Sequence, residues 1–129
     1  METAAEPAGV MTSMAFGDVA VLKLPRPCEF GELRRKAVPL LRSAGVRRAI
    51  VFGSWARREA DGFSDLDLAV VMSTDLPRVE RARVLTERLE AALPTTVDLL
   101  VYTPEEFEAG AEAGVGVFHA LNREGVDIL

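Results

Sequence analysis

Two acids one residue apart, Asp65 and Asp67, lie in "SDLDLAVVM", a segment otherwise apolar enough for a buried strand. Side chains alternate across a strand, so both carboxylates should point to the same face. Bare, they would repel, and one would be driven toward its protonated form. A positive partner is therefore expected between them, either arginine or a divalent cation. Carboxylate oxygens suit magnesium, which is typically held by one or two carboxylates together with substrate phosphates. A third acid, Asp98, sits in "TVDLLVY", again among apolar residues. If the two strands are neighbours, three carboxylates converge on one spot. The plainer alternatives are a turn residue at Asp65 and a half-exposed sheet face at Asp67. The second is the weaker, because charged residues are seldom buried unless paired.

Just upstream, "VFGSWARR" ends an apolar run in Gly53-Ser54. Glycine lets backbone approach a ligand closely. A helix N-terminus offers free N–H groups and a favourable dipole to an anion. With Ser54 as a hydroxyl donor, a strand, Gly-Ser and a short helix over Ser54 to Ala60 would cradle phosphate. Ser54 as an ordinary helix cap is the competing reading. Arg57 suits a phosphate contact or a surface ion pair. His119, the only histidine, is read as a surface or packing residue, and Cys28, the only cysteine, as a small buried thiol.

These residues need elements to hold them. "VAVLKL" (Val19 to Leu24) reads as a short strand. Apolar residues recur at helical spacing through Phe30, Leu33, Ala37, Leu40, Leu41 and Ala44, with Pro39 as a possible kink and Gly45 as a stop. "RRAIVF", "DLDLAVVM" and "TVDLLVY" read as strands. "STDLP" opens a helix capped by Thr74 or Asp75, with apolar positions Val79, Ala82, Leu85, Leu89 and Leu93 and an Arg83–Glu87 pair on its wet side. "TPEE" is a capping box of Thr103 and Glu106. Gly110, Gly114 and Gly116 should weaken the helix that follows. A last helix passes through Phe118 and Leu121 to Asn122, and "VDIL" is an edge strand. Strands alternating with helices predict an α/β (α+β) fold, a small mixed β-sheet covered by helices.

The chain has 129 residues and a net charge of -5. Residues 1–15 read as a flexible tail, with Met11 or Met14 as alternative starts, and 16–129 as a single domain. No run approaches the roughly 18 apolar residues of a membrane span. The N-terminus lacks the basic start and apolar middle of a signal peptide, and the cysteine usage fits a cytoplasmic location. Lys and Arg outnumber acids from Glu32 to Glu59, and the reverse holds from Ala60 onward. The acidic balance disfavours nucleic acid as a partner, since that binding rests on neutralising phosphates. A local basic segment beside acids suits a small polyphosphate with metal ions.

Taken together, Gly53-Ser54, Asp65-x-Asp67 and Asp98 in a later apolar strand resemble the nucleotidyltransferase superfamily of DNA polymerase beta type. "GSWARREADGFSDLDLAV" is similar to the GS-x-AR-G…SD-x-D-L signature of its minimal members. Arg58 stands where a glycine is frequent, and the position is expected to be exposed and tolerant. The resemblance implies that Gly53 and Ser54 hold the triphosphate of a nucleotide, with Arg57 as a further contact. It implies that Asp65 and Asp67 bridge two magnesium ions, with manganese as a substitute, and that Asp98 completes the catalytic site. The implied reaction moves AMP from ATP to a hydroxyl. The chain is too short for a separate acceptor domain, so the acceptor should come from another molecule or from its own dimer. Minimal members resemble the antitoxin of a pair whose partner is a HEPN-domain ribonuclease toxin, which the antitoxin adenylylates. The alternatives are a binding module that neutralises its partner by contact, and an adenylyltransferase for a small molecule.

Overall fold

A helix over Phe30–Ser43 (α1) buries Phe30, Leu33, Ala37 and Leu41, the stripe that its sequence spacing predicts. Pro39 lies within it on the exposed side. Gly45, at φ +86, ends it: its N–H donates to Arg42 O and that of Val46 to Leu41 O. This pairing closes the helix's last carbonyls and needs a left-handed residue at that place. The computed structural model of the chain describes residues 29–61 and 64–129. The expected tail, the Val19 to Leu24 strand and Cys28 fall outside the described residues.

The strands are β1 (Arg48–Phe52), β2 (Leu66–Val71), β3 (Val97–Tyr102) and β4 (Val126–Asp127), in the sheet order β3-β2-β1-β4. β1 runs antiparallel to β2 and β4, and β2 runs parallel to β3. The sheet is therefore mixed and β2 is an interior strand. One face carries Val51, Leu66, Leu68, Val70, Val97, Leu99 and Val101. It packs in one apolar cluster with α1 and the helix Arg83–Ala92 (α3). Leu66, Leu68 and Val70 are wholly buried there, each worth about 1.5–3 kcal/mol. The other face carries Ile50, Ala69 and Tyr102 beneath Phe118 and Leu121 of the helix Val117–Glu124 (α5). Phe107 of the helix Pro104–Ala113 (α4) packs against this second cluster. The expected α/β (α+β) architecture, a small mixed sheet covered by helices, is the one observed.

Several local expectations are corrected. The helix after "STDLP" comes in two pieces, α2 (Arg78–Arg81) and α3, separated at Ala82. Thr74 closes a turn by accepting the Leu76 N–H, and the N-cap position falls to Pro77. Val79 is 88% exposed instead of buried. The inward residue of α2 is Arg81, whose guanidinium donates to Leu76 O, Val101 O and Glu106. A polar anchor with that many acceptors outweighs one valine in orienting a single turn. Arg83 and Glu87 form no ion pair. At α4 the capping box forms as expected, between Thr103 and Glu106. The Arg81 guanidinium, and then the Thr103 N–H, hold the Glu106 carboxyl down at about 2. Gly110 reads as a weak point of α4, yet a Cβ there would overlap the Phe118 ring. Its missing side chain is what lets α5 lie against α4.

Candidate active site

The parallel register of β2 and β3 sets Asp67 directly beside Asp98, and the antiparallel register of β1 sets Phe52 on its other side. Paired residues share a face, so both carboxylates stand on the face that α4 and α5 cover. Cover there extends over Ile50, Ala69 and Tyr102. At the Asp67 end it gives out: Asp67 is half-buried and Asp98 exposed. Asp65 comes just before β2 and points the same way by strand alternation. Its Oδ1 accepts a hydrogen bond from the hydroxyl of Thr96, which precedes β3. Partial burial first, then the charges of Asp98 and Asp65, push the Asp67 carboxyl above its usual range, and Glu124 adds to this. Arg57 pulls the other way. The like charges expected from the sequence are thus felt at one residue.

Among the described residues no three His, Cys, Asp or Glu side chains close into a ready metal cage. Asp65 is turned to Thr96, and bare carboxylates of like charge do not draw together. An open set of this kind still fits magnesium, which is bound by one or two carboxylates plus substrate phosphates instead of an all-protein cage. The charges of Asp98 and Asp65, second to burial in raising the proton affinity of Asp67, are what an added cation would offset.

Gly53 and Ser54 follow β1 as expected, but the helix expected over Ser54 to Ala60 does not form. Residues 53–58 make a single tight turn. Within it the Arg57 N–H reaches Gly53 O, that of Arg58 reaches Trp55 O, and that of Glu59 reaches Ser54 O. Arg58 stops the turn because its φ is +61, the only positive φ at a non-glycine among the described residues. This revises the view of Arg58 as a tolerant position. It is exposed, but its backbone is one that glycine adopts without strain. The Arg58 guanidinium lies 4.6 Å from the centre of the Phe30 ring, a cation–π contact that offsets part of the cost.

Gly53 itself has φ +75, and an added Cβ would collide with Asp67 Oδ2 and lie 3.2 Å from Asp67 Cγ. The sequence suggests a glycine that admits a ligand. The structure shows one that admits the carboxylate of Asp67. The hydroxyl of the half-buried Ser54 has no hydrogen-bond partner among the described residues. Arg57 donates from Nε to Glu59 at 2.9 Å and from Nη1 to Glu124 at 3.1 Å. Both contacts raise its proton affinity, that with Glu59 the more. The six residues singled out from the sequence therefore lie around one end of the sheet. Trp55 is buried and donates to Ser64 O, and His119 is exposed on α5.

Glu124, the last residue of α5, was not singled out. Its carboxylate accepts the Gly53 N–H at 2.7 Å as well as the Arg57 contact. The Gly53 N–H, then the Arg57 guanidinium, hold it below the usual carboxylate range. One signal was available in the sequence: an acid at a helix C-terminus opposes the helix dipole.

The family model described as polymerase beta, nucleotidyltransferase matches residues 36–111. A relative from Methanocaldococcus jannaschii, provisionally named protein adenylyltransferase MJ0435, is 39% identical over 71 residues, which span 55% of this chain and 75% of the relative. Among solved structures, a chain provisionally described as a minimal nucleotidyltransferase is 32% identical with a TM-score of 0.51, over 72% of this chain and 86% of that one. A chain from a toxin-antitoxin crystal structure with AMP-PNP shares the fold, with a TM-score of 0.55 and 22% identity over 74% of this chain and 72% of that one.

Proposed function

From a chain that belongs to the polymerase beta nucleotidyltransferase family, we propose a magnesium-dependent transfer of AMP from ATP to a hydroxyl of a partner protein. The observation that carries this reading is the β2–β3 register, which stands Asp98 beside Asp67 at the uncovered end of the sheet. Asp65 and Asp67 would hold the cations together with the triphosphate, and Asp98 would complete the set. When bound there, magnesium supplies positive charge that lets neighbouring carboxylates stay ionised, acidifies the attacking hydroxyl and stabilises the leaving pyrophosphate. The chain's own groups do the positioning. Ser54 offers a hydroxyl with no competing partner among the described residues. Arg57 uses Nε and Nη1 internally, which leaves Nη2 to donate to phosphate. Gly53 leaves Asp67 its place. In the transfer the acceptor oxygen bonds to the α-phosphorus, pyrophosphate departs with the bonding pair, and the hydroxyl proton is lost toward Asp98 and solvent.

A protein acceptor is supported by the name of the archaeal relative and by the toxin-antitoxin neighbour that shares the fold. With the resemblance to the antitoxin of a HEPN-toxin pair added, we take the partner to be a HEPN-type toxin and the chain to be its antitoxin. The net charge of -5 speaks against nucleic acid as acceptor. The test is intact-mass spectrometry of a HEPN-type toxin that forms a complex with this chain, after incubation with the chain, ATP and magnesium. A gain of one or more AMP units is expected, and Asp98→Asn should remove it while ATP still binds. A toxin that is inhibited but unmodified would make the chain a binding module.

Ser54 gives a separate prediction. With no helix to cap and no described partner, Ser54→Ala should leave the melting temperature within about 1 °C, since no cap worth ~1 kcal/mol is lost. Calorimetric titration with ATP and magnesium should show affinity reduced by about tenfold, the worth of one hydrogen bond to a charged group. Unchanged affinity in the folded variant would remove Ser54 from the phosphate site.

A further inference from the structure

We propose that Glu124 is a positioning residue for the nucleotide: one carboxylate at the end of α5 fixes both the Gly53 turn and the Arg57 guanidinium that the triphosphate would meet. The proposal rests on the functional reading above and deepens it. Three observations carry it. Glu124 Oε2 accepts from the Gly53 N–H at 2.7 Å and from Arg57 Nη1 at 3.1 Å, so a single side chain ties the two together. Gly53 lies beyond the last register pair of β1, Phe52 with Asp67, so its N–H has no strand partner and the carboxylate supplies one.

The order of depth decides what Glu124 does. Its side chain is 23% exposed and that of Arg57 is 46% exposed, so the acid is the more buried partner of the pair. Glu124 takes Nη1 while Glu59 takes Nε, which leaves Nη2 without a protein acceptor among the described residues. The third observation is the cost. A carboxylate in the last turn of a helix works against the dipole, where Arg123 works with it. A local rule broken in this way marks a residue kept for its tertiary contacts. Phe118 and Leu121 anchor α5 on the sheet, so the brace is fixed to the core.

The test is calorimetric titration of ATP with magnesium, together with steady-state transfer kinetics, on the full chain and on Glu124→Ala, Glu124→Gln, Arg57→Ala and the Arg57→Ala/Glu124→Ala pair. Glu124→Ala should weaken ATP binding about tenfold and raise KM alike, with kcat at saturating ATP changed by less than about threefold, as loss of one charge-assisted contact predicts. Glu124→Gln keeps an acceptor oxygen and should recover part of the affinity. In the Arg57→Ala background, removing Glu124 should cost less than in the parent, because its Arg57 contact is already gone and only the Gly53 tie is left to lose. Tighter ATP binding in Glu124→Ala would show that the acid competes with phosphate and overturn the proposal. Unchanged affinity with a lowered melting temperature would do the same, leaving a structural tie only. If Glu124→Ala does not fold, Glu124→Gln alone decides, by the sign of its change in affinity. Failure of the parent protein to bind ATP with magnesium is a different result: it removes the functional reading, and this proposal with it.

Discussion

Asp67→Asn should abolish AMP transfer and still leave a protein at least as stable as its parent. The two effects have one cause. Asp67 is half-buried, and its ionised form is disfavoured first by that burial and then by the charges of Asp98 and Asp65. A carboxyl raised in this way binds its proton more tightly in the fold than in the unfolded chain. Ionised Asp67 therefore subtracts from stability once the pH exceeds its unfolded value, and the neutral amide relieves this. The stability advantage of the variant should be largest near neutral pH and shrink as acid protonates the parent's Asp67. Catalysis loses the same charge. A carboxylate that helps hold the cations contributes several kcal/mol of transition-state stabilisation, so transfer should fall on the order of 10³-fold or more. Melting curves at several pH values, paired with the mass assay, measure both. A variant that melts well below the parent at neutral pH would contradict the electrostatic account. One that transfers AMP at the parental rate would remove Asp67 from the site.

Gly53→Ala should cost activity far beyond its cost in stability. At φ +75 any Cβ is strained, and this one would also land on the Asp67 carboxylate. The backbone term is about 1–2 kcal/mol. Displacing Asp67 by even about an ångström should reduce transfer on the order of 10²-fold. Gly45→Ala is the matched control. Its φ is +86, yet nothing lies within 4 Å of the added Cβ. It carries the backbone strain without the collision, so it should melt earlier while keeping parental kcat and ATP affinity. If Gly53→Ala and Gly45→Ala lose activity equally, the packing of Asp67 against Gly53 has no part in positioning the carboxylate.

Much of the candidate site was legible because its residues sit where local rules speak. Asp65, Asp67 and Asp98 were conspicuous as acids inside apolar strands, and Gly53-Ser54 as a break after one. Alternation alone put Asp65 and Asp67 on one face. Thr103 and Glu106 announced their capping box, since capping is a contact between near neighbours. Errors arose where a distant partner overrode local pattern. Val79 fits an apolar helical stripe, but Arg81 found acceptors on β3 and α4 and turned α2 its own way. Arg58 looks unremarkable until its φ of +61 ends the turn that was expected to continue as a helix.

By itself the sequence determined the strands of the described sheet, the apolar spacing of α1 and the places of the acidic residues, because each follows from neighbours two to four positions apart. It could not determine that β3 lies parallel to β2 in the register that faces Asp98 with Asp67, 31 residues away (98 − 67). It could not show that Gly53 makes room for Asp67, since that requires β1 and β2 to pack side by side. Nor could it bring Glu124 against Arg57, 67 residues apart. Those juxtapositions depend on which apolar faces bury against each other, a choice made by the whole core and encoded in no single segment.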